Sequence, residues 1–257
     1  MNLEKQLISL YTLIRKEVSR VTRIWLQTLV PPIITMSLYF LIFGNLIGRR
    51  IGEMGGFDYM QYIAPGLIMM SVITNSYGNV VSSFFGAKFQ RHLEEMLVSP
   101  MPTYAIILGH VVGGMVRGLL VGLVVTLIAL FFTEVRISNL FITLSVVVLT
   151  SVVFSLGGLI NAIFARKFDD ISIIPAFVLA PLTYLGGIFY SISLLPPIAQ
   201  KISLFNPILY MVNAFRYGML GVSDIDITRA YIIILAFAAG LFGACMILIK
   251  KGVGIRE

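Results

Sequence analysis

Charge, cysteine and histidine are all scarce in this sequence, and each shortage removes a class of function. Only 12% of the 257 residues are charged while 58% are hydrophobic, and the mean hydropathy is +0.95. An ordinary soluble domain is about a quarter charged, so a soluble fold is excluded. The single cysteine, Cys245, excludes a disulfide framework and a cysteine-based metal site. Two histidines, His92 and His110, supply neither an evident metal site nor a nucleophile with its base. No enzyme, metal or resident cofactor is therefore expected. No stretch matches the G-x-x-x-x-G-K-[ST] loop whose amides cradle nucleotide phosphates, so the chain does not bind ATP by that route. The formal charge of +7 is dispersed between apolar runs and forms no basic stripe interleaved with aromatics, which argues against nucleic acid.

What is abundant is long apolar sequence. A helix rising about 1.5 Å per residue needs roughly 20 apolar residues to cross a hydrocarbon core about 30 Å thick. Six predicted spans follow, over residues 25–47, 62–85, 106–132, 140–165, 171–189 and 230–249. The expected fold class is an all-α integral membrane protein of six transmembrane helices, forming one permease-like domain over 1–257. Twelve Lys and Arg fall in residues 1–23, 86–105, 166–170 and the C-terminus, against six on the opposite side: Arg49, Arg50, Arg136, Lys201, Arg216 and Arg229. That bias places both ends in the cytosol by the positive-inside rule. Residues 1–23 lack the apolar stretch and small-residue cleavage site of a secretory signal, so the first span is expected to direct insertion.

Two further segments stand out. In residues 1–24, Leu3, Leu7, Leu10, Ile14, Val18 and Val21 recur at spacings of three and four, the pattern of an amphipathic helix. With Arg15, Lys16, Arg20 and Arg23 expected on its wet side, it should lie along cytosolic lipid headgroups. Residues 191–228 are too apolar for a simple loop and are broken by Pro196, Pro197 and Pro207. Pieces this short read as re-entrant helices on the external side.

All twelve acidic residues fall outside these spans. A proton-coupled carrier needs a titratable group within the membrane, so that class is disfavoured, while a sodium-coupled carrier using backbone carbonyls is not. Gly114, Gly118 and Gly122 repeat at four-residue spacing and predict close helix packing, within the subunit in preference to between subunits. Arg117 lies beside them, either snorkelling to the cytosolic headgroups or facing a path. Asp170 is expected to cap the fifth span, and Asp169 and Asp170 both to favour its positive N-terminus.

The stretch FFGAKFQRHLEEMLVSPMP, Phe84 to Pro102, resembles the type-2 ABC export permeases, and a second set does so as well. That set is PLTYLGGIFY from Pro181, Leu195-Pro196-Pro197, NPILYMV from Asn206 and FRYG from Phe215. The resemblance spans essentially the whole chain. It implies a bacterial inner-membrane half-transporter that pairs with itself and engages two cytosolic ABC ATPase subunits, with ATP and Mg held by that partner. It maps the ATPase-coupling role onto Arg91, Glu94 and Glu95 in the 86–105 segment. There Phe89, Leu93, Met96 and Leu97 form an apolar helical face for a soluble motor to grip. It also makes Asn75, Asn79, Thr183 and Tyr184 the candidate translocation path. An ion-coupled carrier and a non-transporting membrane scaffold are the alternatives.

Overall fold

The computed structural model describes residues 3–254, without the side chains of Asn45 and Arg49; Arg256, counted above among the cytosolic cations, lies outside the described residues. The chain is almost wholly helical. Helix α1 covers Leu3–Arg23, α2 Trp25–Gly48, and a small hairpin pairs β1 (Glu53–Met54) with β2 (Phe57–Asp58). Then follow α3 (Tyr59–Phe89), α4 (His92–Val98), α5 (Thr103–Ala129), α6 (Leu140–Phe164) and α7 (Asp170–Tyr184). Two short helices, α8 (Pro197–Ser203) and α9 (Pro207–Leu220), precede α10 (Ile227–Lys251).

Among the described residues four helices, α2, α5, α6 and α10, have both the length and the apolarity to cross a membrane. Helix α3 has the length, at 31 residues, but carries Asn75, Ser76, Asn79, Ser82 and Ser83. It is the central element, packed between α5 and α6 with α9 alongside, so its polar groups meet protein on most sides. Helix α7 is short, and the chain beyond it unwinds through Gly187 at a left-handed φ of +72°. The predicted fifth span is thus helical only in its first part.

Local chemistry explains the helix boundaries. Asn139 accepts a hydrogen bond from Ile142 N (3.1 Å), Asn206 from Ile208 N (3.0 Å) and Asp226 from Arg229 N (2.8 Å), each side chain satisfying an amide that the first helical turn leaves open. Gly221 and Gly252 end α9 and α10 at φ of +78° and +68°, a conformation that disfavours a Cβ. The glycine run of α5 packs within the chain. A Cβ at Gly114 or Gly118 would collide with Ser155 or Ser76, and one at Gly122 would come 2.7 Å from Val72.

Three expectations need correction. Arg216 is not in an external loop: it lies in α9, fully buried, because its guanidinium finds backbone carbonyls there. Twelve of the fourteen residues of α9 are buried, so this piece is core and no loop. Helix α1 does not turn Arg20 to water, and the face it packs on α5 is Leu13, Glu17 and Val21. Leu3 and Leu7 stay exposed. Asp170 does not cap α7 either; its carboxylate reaches back to the amides of Arg166 (2.8 Å) and Lys167 (3.0 Å).

That last contact has a pH signature. The two amides hold the Asp170 carboxyl below the usual carboxylate range. The order it lends the 166–170 turn is complete above the unfolded value near about 3.9. It is lost as pH falls through the lower folded value. The protection of the Arg166 and Lys167 amides, their exchange rate relative to the intrinsic rate at each pH, should be constant between about pH 5 and 8 and fall only in stronger acid. Asp170→Asn should remove that acid dependence; a variant that kept it would refute the assignment.

Candidate functional site

One end of the bundle is built around the sharp turn that joins α3 to α4. Arg91 sits at φ +63°, the single described non-glycine residue with a positive φ, a conformation that costs an L-residue roughly 1–2 kcal/mol. It redirects the chain so that α4 lies against the end of the bundle. Leu93 is buried there among Phe84, Phe85 and Ile106, with Met96 and Leu97 half-buried beside it. Leu93 therefore turns inward and is not available for the grip expected above, while Met96 and Leu97 keep part of their surface open. Phe89 remains exposed. Arg91, Glu94 and Glu95 all face outward, and Glu95 lies 3.7 Å from His92 in an exposed contact that contributes little by itself.

Two contacts hold this turn to the loop after α6. Lys88 Nζ donates to the carbonyls of Ile163 (2.8 Å) and Ala165 (2.7 Å), placing a cation on the negative end of α6. Phe168 packs edge-on against Phe85 and Phe89, with ring centroids 5.0 and 4.9 Å apart. Arg166, Lys167 and Asp169 are exposed beside them. The result is one face at this end of the bundle with a firm apolar floor and a charged rim.

Above this face α1 is clamped by a polar network that sequence reasoning missed. Glu17 is fully buried, its Oε2 accepting from Ser83 Oγ (2.6 Å) and Arg20 Nε (3.4 Å). Arg20 Nη2 donates to the carbonyl (3.1 Å) and side-chain oxygen (2.8 Å) of Asn79. His110, also fully buried, donates through Nδ1 to Ile106 O (2.8 Å), and its Nε2 lies 4.0 Å from Glu17 Oε1. Glu17 fits because position 113 is glycine; a Cβ there would come 2.7 Å from that of Glu17. The available signal was the four-residue spacing of Leu13, Glu17 and Val21 opposite Gly109 and Gly113, obscured by a carboxylate within the stripe. A buried acid near the spans qualifies the earlier argument against proton coupling. Glu17 belongs to α1, however, and Ser83 and Arg20 already engage it.

The four candidate path residues do not form one site. Asn79 is buried and engaged by Arg20. Thr183 is buried with its hydroxyl on Leu179 O (2.6 Å), which leaves it facing protein. Asn75 lines a groove of about 380 Å³ between α2, α3 and α5 together with Tyr39 and Arg117. Tyr184 reaches the rim of that groove, its hydroxyl 3.2 Å from that of Tyr39. Pro31 and Pro32 of α2 also line it, which fits prolines that leave carbonyls free where a polar cavity adjoins them. Asn75 and Tyr184 are thus brought to one groove, while Asn79 and Thr183 are buried away from it.

At the opposite end a second cavity, of about 570 Å³, lies over Arg216, Tyr62, Ser191 and Asp224. Arg216 Nη2 donates to Gly187 O (2.6 Å), Nε to Tyr62 O (3.3 Å), and the guanidinium stacks 4.0 Å over the Tyr62 ring. Asp224 accepts from Ser191 Oγ (2.7 Å) and Ile192 N (3.0 Å). These bonds tie the unwound 185–192 segment to α3 and α9, which gives the FRYG and LGG motifs a structural reason.

The sequence is similar to those of known membrane proteins. The sequence model of the ABC-2 type transporter family matches residues 8–220. The chain is 56% identical over 250 residues to the inner membrane transport permease YadH of Escherichia coli (strain K12), covering 97% of this chain and 98% of that one. It is 24% identical over 193 residues to nodulation protein J of Rhizobium leguminosarum bv. trifolii, with 75% of this chain and 74% of that one covered. It is 26% identical over 185 residues to nodulation protein J of Sinorhizobium fredii (strain NBRC 101917 / NGR234), with 72% and 70% covered. With a family match over most of its length and a relative 56% identical along nearly all of it, this chain belongs to the ABC-2 type transporter membrane family.

Proposed function

We propose that this chain is the membrane-spanning half of an ATP-driven exporter in the bacterial inner membrane. It works as a homodimer with two copies of a separate cytosolic ABC ATPase, which supplies the ATP and Mg chemistry; the chain itself has no catalytic site. Family membership implies the ATPase partner, and the name of the Escherichia coli relative, an inner membrane transport permease, supports the compartment. In this reading α3 and α7 also cross the membrane, giving six crossings with both ends cytosolic. Helix α1 lies at the inner interface, and the α8–α9 segment dips in from outside. The cargo is amphipathic or lipid-like, a drug or a glycan.

The observation that carries the reading is helix α4. A seven-residue helix cannot be stable alone, yet it is anchored by Leu93, with Glu94, Glu95 and, just before its first turn, Arg91 exposed. A motor closing on it would push directly on α3 and, through Lys88, on α6. Glu94→Ala with Glu95→Ala should leave the protein inserted and its melting temperature within about 1 °C, since exposed charges contribute little to stability. The same pair should weaken ATPase association about tenfold, because charged contacts dominate such rims. Arg91→Gly relieves the strained φ while removing the cation, so it should hold or raise stability and still weaken association. Co-purification of the ATPase and transport-stimulated hydrolysis are the readouts. Wild-type coupling in all of these variants would sink the proposal.

A further inference from the structure

Arg117 occupies the groove between α2, α3 and α5 as an unpaired cation. Among the described residues no carboxylate lies within ion-pair distance of it, and its buried Nε has no hydrogen-bond partner. The charged neighbour that acts on it is Arg20, another cation. A half-buried guanidinium beside a membrane is costly unless an anion or a set of carbonyls meets it. Elsewhere the chain solves this problem with carbonyls, as at Arg216 and Lys88. Here it does not.

The rest of the groove describes what would fit. Gln27, Thr35, Thr74, Asn75 and Tyr39 supply hydroxyls and amides around the guanidinium, while Met36, Met70 and the two prolines supply apolar wall. A volume of about 380 Å³ holds a small polar head and the start of a chain. Arg117 stands one helical turn beyond Gly113, where α1 rests on α5, a rise of about 6 Å. That is within reach of a head group entering from the cytosolic leaflet. A guanidinium presents a planar fork of donors that matches phosphate, sulfate and carboxylate oxygens two at a time.

We infer that this groove binds the acidic head group of an amphiphile, with Arg117 as the anion-binding residue and Thr74, Asn75 and Tyr39 completing the cradle. Resting on the exporter reading, this narrows the cargo to anionic amphiphiles. The same chemistry is also offered by an anionic phospholipid of the inner leaflet, and the test separates the two.

The full chain is placed in phosphatidylcholine nanodiscs, and binding of dodecyl phosphate, phosphatidylglycerol and dodecyltrimethylammonium is measured by native mass spectrometry. At least one anionic probe is expected to bind about tenfold or more tighter than the cationic one, the size of a charge-assisted hydrogen-bonded contact. Arg117→Gln should abolish that preference and Arg117→Lys should keep most of it. Thr74→Leu, which narrows the groove and leaves the charge, should also weaken binding, and it carries the test if Arg117→Gln melts early. Dependence on Arg117 for dodecyl phosphate identifies a single-chain cargo site; dependence for phosphatidylglycerol alone identifies a lipid site. Anionic binding indifferent to Arg117, or equal binding of dodecyltrimethylammonium, overturns the inference. Co-purification of an ATPase is scored on the same samples. Its absence would refute the exporter reading and leave the anion preference standing, whereas its presence with no anion preference would refute this inference alone.

Discussion

Arg216→Ala is expected to destabilise the protein by about 3–5 kcal/mol, the range for removing a buried charged group from its partners. The guanidinium is the largest fully buried side chain, and it joins three parts of the chain that are distant in sequence. Truncation leaves the carbonyls of Gly187 and Tyr62 without their donor and takes a cation from the face of Tyr62. It also frees Asn213 Oδ1, which Arg216 shares with the amide of Asp224. Arg216→Lys keeps the charge, but an ammonium cannot reach carbonyls on both sides as a fork does, so about 1–3 kcal/mol should still be lost. Thermal unfolding of the detergent-solubilised protein measures both. A melting temperature unchanged in Arg216→Ala would show that the 185–192 segment is held by other contacts.

The second large effect is expected at the clamp of α1. Glu17→Ala removes the acceptor of Ser83 and Arg20, leaving buried donors that cost about 1–3 kcal/mol when unsatisfied. Gly113→Val attacks the same contact sterically, since even its Cβ would stand 2.7 Å from that of Glu17, and overpacking of this kind costs about 1–3 kcal/mol. Either change should release α1 without unfolding the bundle, because the cores around α3 do not include it. Trypsin cleavage after Arg15, Lys16 and Arg20 should accelerate tenfold or more, by about the same free energy. Unaltered protection in both variants would mean that α1 is held by its apolar contacts alone. Release of α1 also frees Asn79, so the polar side of α3 should respond to the clamp as well.

The sequence by itself determined the class of protein, the family, the presence of the first helix and the charged turn around Glu94. These are one-dimensional signals: 58% hydrophobic residues, runs long enough for a bilayer, and a contiguous motif from Phe84 to Pro102. It also read the glycine run of α5 correctly as a packing face within the chain. Only the tertiary structure decided which polar residues are buried, because their partners come from far away. Glu17 meets Ser83 across 66 positions and Arg216 meets Tyr62 across 154, and no periodicity marks such a pair. A carboxylate in an amphipathic helix reads as wet until a glycine on another helix makes room for it, and an arginine after a run of prolines reads as a loop cation until backbone carbonyls meet it. Spans without a carboxylate had left the charged turn at Glu94 as the place where a partner engages. The folded chain adds Glu17 behind that turn and Arg117 alone in the groove above it.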